Sequence, residues 1–212
     1  MRDMHCHILP GVDDGSASMV ESLAMVAAAR KAGITEIVCT PHCRDPYFDW
    51  NAMWAAYQRL APMVPNMPIR MGFEVNHAKL MELGYGWIDY LAFPDTKEFL
   101  LELDTRCSPY HFDQYKRTIY EIQGRGYKVI IAHPERYQAI QEDIDIAAEL
   151  VYMGCELQAS TIFVGGGRFG NELQPAKLML KEGLYTHFAS DAHSVDDYKL
   201  FARAMKKYGK YL

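Results

Sequence analysis

Asp3-Met4-His5-Cys6-His7-Ile8 opens the chain as a short apolar run carrying two histidines two residues apart. On a strand, that spacing puts both imidazoles on one face, where they can share an ion. Outward from it the same pattern returns: a short apolar or β-branched run, a reactive residue at its downstream end, then a longer helical stretch. The strand-like runs cover residues 4–8, 36–40, 69–74, 99–103, 128–132, 155–159 and 185–189. The helix-like stretches cover 18–32, 50–63, 112–125, 140–153, 172–182 and 196–208. Gly33, Gly126, Gly154 and Gly183 each follow a helical stretch, where chains often close on a left-handed residue. Seven strands alternating with helices predict an α/β fold with a parallel sheet, either open and doubly wound or closed as a barrel.

The downstream ends carry the chemistry. After the first run comes Pro10-Gly11-Val12-Asp13-Asp14-Gly15, and the later runs end in Thr40-Pro41-His42, Gly72-Phe73-Glu74, Leu101-Glu102, His133-Pro134-Glu135-Arg136 and Ser190-Asp191-Ala192-His193. Five of the eight histidines and four carboxylates thus collect at the C-terminal ends of six strands. That edge is where α/β folds build their sites. The set is imidazole and carboxylate without thiolate, which suits manganese, iron or zinc in an open site.

Taken together, DxHxH, PGxDDG, TPH, GxE, HPER and SDAH resemble the PHP (polymerase and histidinol phosphatase) superfamily. HCHILPGVDDG and HPERY look most like its bacterial tyrosine-protein phosphatases encoded with capsule or exopolysaccharide genes. The resemblance runs from Asp3 to His193. It implies a distorted seven-stranded (β/α) barrel, one phosphoesterase domain over 1–212, and three divalent ions, manganese first, with iron or zinc as alternatives. By motif, His5, His7, Glu74 and Asp191 would hold one ion. Glu74 would bridge to a second with Glu102 and His133, and Asp14, His42 and His193 would hold a third. The implied substrate is phosphotyrosine on a protein, such as a membrane-associated bacterial tyrosine autokinase that controls polysaccharide synthesis.

Such a ligand set suits phosphate. Four carboxylates against three divalent ions leave an excess of two positive charges for a phosphomonoester dianion. Arg136 is expected to fork onto the phosphoryl oxygens, so that its loss would impair phosphate handling and leave metal bound. Arg44 is a second catalytic candidate. Phenol leaves with a conjugate-acid pKa of about 10, so an aryl phosphate depends less on a general acid. Relatives are expected to carry a further Arg after SDAH. Here Ser194 to Lys199 holds none, which leaves Lys199, Arg203 or a vacancy.

Other readings are weaker. A cysteine phosphatase needs Arg six positions after its nucleophile, and Cys39 has Arg44 only five on. Net charge of −5 disfavours nucleic acid. A histidinol-phosphatase-like enzyme and a metal-binding regulatory module without catalysis are the alternatives. Residues 1–7 do not read as a secretory signal and no apolar run is long enough to span a membrane. Five cysteines without a CxxC pair point to a reducing compartment, the cytoplasm, and a homo-oligomer is compatible. Cys43 is expected to be oxidisable if exposed, and His77, His111 and His187 to lie at surface, cap and strand. Tyr47, Phe48 and Trp50 are expected to grip the substrate ring. The Gly165–Gly170 loop reads as a mobile loop, or as part of the substrate mouth.

Overall fold

The computed structural model describes residues 1–94 and 96–211. Among them nine strands form: β1 (Arg2–Cys6), β2 (Glu36–Cys39), β3 (His42–Cys43), β4 (Ile69–Met71), β5 (Glu74–Asn76), β6 (Glu98–Glu102), β7 (Lys128–Ala132), β8 (Glu156–Ser160) and β9 (His187–Ala189). They make two parallel sheets, β1-β2-β4 and β3-β5-β6-β7-β8-β9.

Nine strands replace the expected seven because two runs break. The run at 36–40 stops before Pro41, which has no N–H to give a ladder. The run at 69–74 breaks at Gly72, where an added Cβ would lie 2.6 Å from the Phe93 ring. The breaks are neighbours: Gly72 N–H donates to Cys39 O (2.8 Å) and Glu74 N–H to Pro41 O (3.2 Å). Both segments therefore step from the first sheet into the second together. The far ends also meet. His7 N–H donates to Ala192 O (2.8 Å), and Asp191 N–H to His5 O (2.7 Å).

A mixed α/β fold with curled parallel sheets results. Met4, Val38, Leu100, Ile130 and Ala189 come from five strands and pack with Phe93 in one small buried cluster, which requires the sheets to curl around it. The larger core lies between the sheets and the helices. These include α1 (Met19–Lys31), α2 (Trp50–Leu60), α3 (His77–Leu83), α4 (Ile88–Leu91), α5 (Phe112–Gly124), α6 (Gln138–Glu142), α7 (Asp145–Tyr152), α8 (Leu173–Lys181) and α9 (Val195–Tyr208). Ser18 caps α1 by accepting from Glu21 N–H (3.2 Å), and Ser194 with Asp197 forms a capping box on α9. The expected helix at 140–153 is two, because Asp143 turns extended between α6 and α7 and accepts from Asp145 N–H (3.0 Å). Two short helices, α3 and α4, were not legible in the sequence.

Candidate metal centre

Every residue singled out as a ligand candidate reaches one region above the strand ends. A register irregularity interrupts the β1–β2 ladder between Asp3 and Cys6, and His5 within it and His7 just beyond are both buried. Both rings are then fixed from behind. Gln158 Oε1 lies 2.8 Å from His5 Nδ1, and Asp13 Oδ2 lies 2.9 Å from His7 Nδ1. Such partners leave Nε2 free for an ion. Asp13 also accepts from His42 N–H (3.1 Å) and Gly15 N–H (3.0 Å), so it ties three motifs together. Asp3 plays the same part for the last motif, accepting from Ser190 N–H (2.9 Å) and Ser190 Oγ (2.6 Å). His133 and Asp191 sit at φ +33° and +50°, a left-handed backbone that non-glycine residues adopt at a cost.

The donor atoms stand at ion-sharing distances. His5 Nε2 is 3.2 Å from His7 Nε2 and 3.4 Å from both Glu74 Oε1 and Asp191 Oδ1. His7 Nε2 is 3.5 Å from Asp191 Oδ1 and from Glu74 Oε2. Ligands about 2.0–2.1 Å from a tetrahedral ion stand about 3.3–3.4 Å apart. Around Glu74 the spacing tightens: His133 Nε2 lies 2.6 Å from Oε1, and His42 Nδ1 2.6 Å from Oε2. His133 Nε2 is 3.9 Å from Glu102 Oε1. Asp14 Oδ1 is 3.1 Å from His42 Nε2 and 3.4 Å from His193 Nε2.

Three convergent groups follow: His5 with His7 and Glu74, His42 with Glu74 and Glu102, and His7 with Asp14, His42 and His193. The motif-based partition is thus blurred, because His42 reaches the second group and His7 the third. The donors fit cations on a further count. His42 Nδ1, Glu74 Oε2, Asp191 Oδ1 and His193 Nε2 are buried without a hydrogen bond. Although His42 Nδ1 and Glu74 Oε2 are 2.6 Å apart, the angle between them is not that of a hydrogen bond. Several buried polar atoms crowded together without bonding one another suit a shared ion.

Protons take up the charge when ions are absent. Burial opposes a charged His5, but the Glu74 and Asp191 carboxylates outweigh it and push the ring up to about 9. His42 rises to about 10 because Glu74 and Asp14 likewise overcome burial. Burial would raise Glu74 and Asp191, yet their cationic neighbours hold both well below the usual carboxylate range. His133 falls to about 4 through burial and Arg136. Burial and Glu74 raise Glu102.

The profile of the family described as "Capsular polysaccharide synthesis, CpsB/CapC" matches residues 1–208. The chain belongs to the CpsB/CapC family. The expected resemblance to capsule-type phosphatases is thereby borne out. Among CpsB/CapC relatives, the tyrosine-protein phosphatase YwqE of Bacillus subtilis is 33% identical over 204 residues, 92% of this chain and 78% of YwqE. The tyrosine-protein phosphatase CpsB of Streptococcus pneumoniae is 29% identical over 213 residues, 92% of this chain and 84% of CpsB. A structure from the work on YwqE and CpsB as metal-dependent tyrosine phosphatases superposes with TM-score 0.79 at 29% identity, covering 99% of this chain and 88% of that one. A dihydropyrimidinase from Brevibacillus agri, TM-score 0.51 at 14% identity, shares the fold alone.

Within this CpsB/CapC chain the cations differ from expectation. Arg136 is buried and contacts Asp191 Oδ2, Ser160 Oγ (3.1 Å) and Glu172 Oε2 (3.3 Å), so it braces a ligand candidate as well as lining the cavity. Arg44 Nη2 lies 3.0 Å from His42 Nε2 and 3.5 Å from Asp14 Oδ2. Neither Lys199 nor Arg203 reaches the cavity: Lys199 is exposed and pairs with Asp196, and Arg203 lies with Lys206 and Lys207 elsewhere. The unforeseen Arg168 stands beside Asp14 instead (3.7 Å), carried by the glycine loop.

Other expectations also shift. Phe48 and Trp50 pack against Phe73 and Trp87 rather than against the ligand candidates, and of the three only Tyr47 stays near His42 (ring centroids 5.9 Å). Cys43 is buried, and burial pushes its thiol up to about 12, so it is not the reactive group that its neighbour His42 implied. His77 is buried against Thr118 (2.9 Å) rather than on the surface.

Proposed function

We propose that this chain is a metal-dependent protein-tyrosine phosphatase that hydrolyses phosphotyrosine on proteins. The observation that carries the reading is the convergence of nine imidazole and carboxylate side chains in one cluster, of which His42, Glu102 and His193 line a cavity of about 440 Å3. Membership of CpsB/CapC and the named activities of YwqE and CpsB support it. His5, His7, Glu74 and Asp191 would hold one ion, Glu74, Glu102 and His133 a second, and Asp14, His42 and His193 a third. Manganese is the proposed metal, with iron or zinc next. Bound there, the ions supply positive charge for the phosphoryl group and a hydroxide near neutral pH.

The chain's own residues prepare that chemistry. Gln158 and Asp13 orient the first two imidazoles, and Asp3 holds the turn that carries Asp191. Arg136 steadies Asp191 and, with Arg44, lines the cavity, where both would face the phosphoryl oxygens. Burial of the donor set excludes water and strengthens each interaction. A tyrosine leaving group departs as a weak base and needs little help from an acid.

Fold and setting complete the proposal. The two sheets act as one distorted seven-stranded (β/α) barrel, a single phosphoesterase domain over 1–212, supported by the contact between residues 5–7 and 191–192. The substrate is a membrane-associated tyrosine autokinase of capsule or exopolysaccharide synthesis. No described helix is long and apolar enough to cross a membrane. Five free cysteines support a reducing, cytoplasmic setting. A metal-binding regulatory module is the second reading, favoured by the absence of Lys199 and Arg203 from the cavity. Purified protein with manganese should release phosphate from a phosphotyrosine peptide in preference to a phosphoserine peptide and histidinol phosphate. No turnover of any of them under several metals would sink the enzymatic reading.

A further inference from the structure

The mouth of the cavity carries more positive charge than a phosphoryl group requires. Arg44, Arg106, Arg136 and Arg168 all line it, against the carboxylates of Glu102 and Asp104, in a chain whose net charge is −5. Arg136 is engaged by Asp191 and Glu172, and Glu102 belongs to the ion cluster. Arg44 and Arg168 share a single carboxylate, Asp14, itself a ligand candidate. Arg106 is exposed and makes no ion pair among the described residues. Beyond Arg136 and Arg44, two guanidiniums thus border the entrance without carboxylates of their own, Arg106 and Arg168.

The loop that brings Arg168 is built rather than slack. Glu172 is buried, accepts Phe169 N–H on Oε1 (2.9 Å) and receives Arg136 Nε on Oε2 (3.3 Å). Gly167 runs at φ +85° directly over that carboxylate, and a side chain there would collide with it. The cleft also continues. A second cavity of about 400 Å3 shares Asn76, Ala78, Asp104 and Arg106 with the first and leads away from the ion cluster. Room beyond the phosphate, bordered by arginine, suits the residues that flank a phosphotyrosine in a polypeptide.

From this we infer that Arg106 and Arg168 form a recognition rim that selects phosphotyrosine segments with aspartate or glutamate beside the tyrosine. Arginine pairs with carboxylate through a planar fork, which makes it suited to such a rim. The inference rests on the phosphotyrosine reading above, and the two fail separately in the following test. Fluorescent peptides carrying a non-hydrolysable difluoromethylphosphonate in place of the tyrosine phosphate are titrated against manganese-loaded protein by anisotropy. One peptide has glutamates on both sides, the other glutamines.

Exposed ion pairs each change affinity by about two- to fivefold, so the acidic peptide should bind about tenfold tighter at low salt and lose that margin at high salt. The ratio should fall below about threefold in Arg106→Ala/Arg168→Ala and recover in Arg106→Lys/Arg168→Lys, which restores charge. Because each ratio is taken within one protein, a general loss of affinity does not imitate the result. Equal affinity of the unaltered protein for both peptides, or a ratio untouched by the double alanine change, overturns the rim. Binding of neither peptide overturns the phosphotyrosine reading itself.

Discussion

Replacing Gly15 with alanine should strip metal from the pocket without touching a proposed ligand. Gly15 lies against His7: a Cβ built there falls 2.5 Å from His7 Cβ and 2.9 Å from its carbonyl carbon, and closer still to the carbonyl oxygen. Ordinary contact for such atoms begins near 3.4 Å. Relief therefore takes about 1 Å of movement, and the obstacle is backbone, which cannot rotate aside. Ser16 N–H donates to His7 O (3.0 Å) and Gly15 N–H to Asp13, so the loop and the histidine are tied and one must displace the other.

A metal site tolerates ligand shifts of only about 0.2 Å, and disturbing the partners of ligands typically costs about 10–100-fold in metal affinity. Overpacking adds about 1–3 kcal/mol of destabilisation. Metal content by inductively coupled plasma mass spectrometry, with thermal unfolding alongside, measures both. Gly124→Ala is the control: nothing lies within 4 Å of its added Cβ at the end of α5, and it should gain about 0.5–1 kcal/mol. A Gly15→Ala protein with full metal and unaltered turnover would refute the packing argument.

The other expectations concern the ligands and their protons. His5→Ala or Asp191→Ala should abolish turnover and lower bound metal; either variant at wild-type level would show the assignment wrong. Arg136→Ala should lose about 3–5 kcal/mol of stability, because it takes from the buried Asp191 and Glu172 carboxylates the guanidinium that pairs with both. It should lose metal too, contrary to the expectation from sequence, and an intact metal load would return Arg136 to a phosphate role alone. His5 and His42, raised to about 9 and about 10, hold protons at pH 7 in the metal-free chain. Ions bind neutral imidazole, so loading must release protons and apparent affinity must climb as pH rises toward those values. Calorimetry in buffers of different ionisation enthalpy reads the release, and none at pH 7 would contradict the raised values.

The candidate ligands were legible because each couples a distinctive residue type to the end of an apolar run, as in His5-Cys6-His7 and Asp191-Ala192-His193. Their supports were not. Asp13 was overshadowed by Asp14 beside it, and nothing in its spacing says that it orients His7. Gln158 had a usable signal, a lone amide in the apolar run Leu157 to Ala159, but neutral residues carry no ligand signature. Trp50 misled because an aromatic just past a motif looks like a substrate grip; the first turn of α2 lays it, half-buried, against the core and stacked on Phe73. The strand breaks at Pro41 and Gly72 depend on two segments agreeing across space, which a linear pattern does not express.

Asp3 grips Ser190 across 187 positions of chain. Two of the proposed ligands, Asp191 and His193, lie just past that grip, so they leave the ribosome after the other seven. A nascent polypeptide would thus carry an unfinished pocket until both have emerged. A premature stop shortly before codon 191 would spare most of the strands yet deliver a product unable to assemble the centre, making metal retention a gauge of translation past that point.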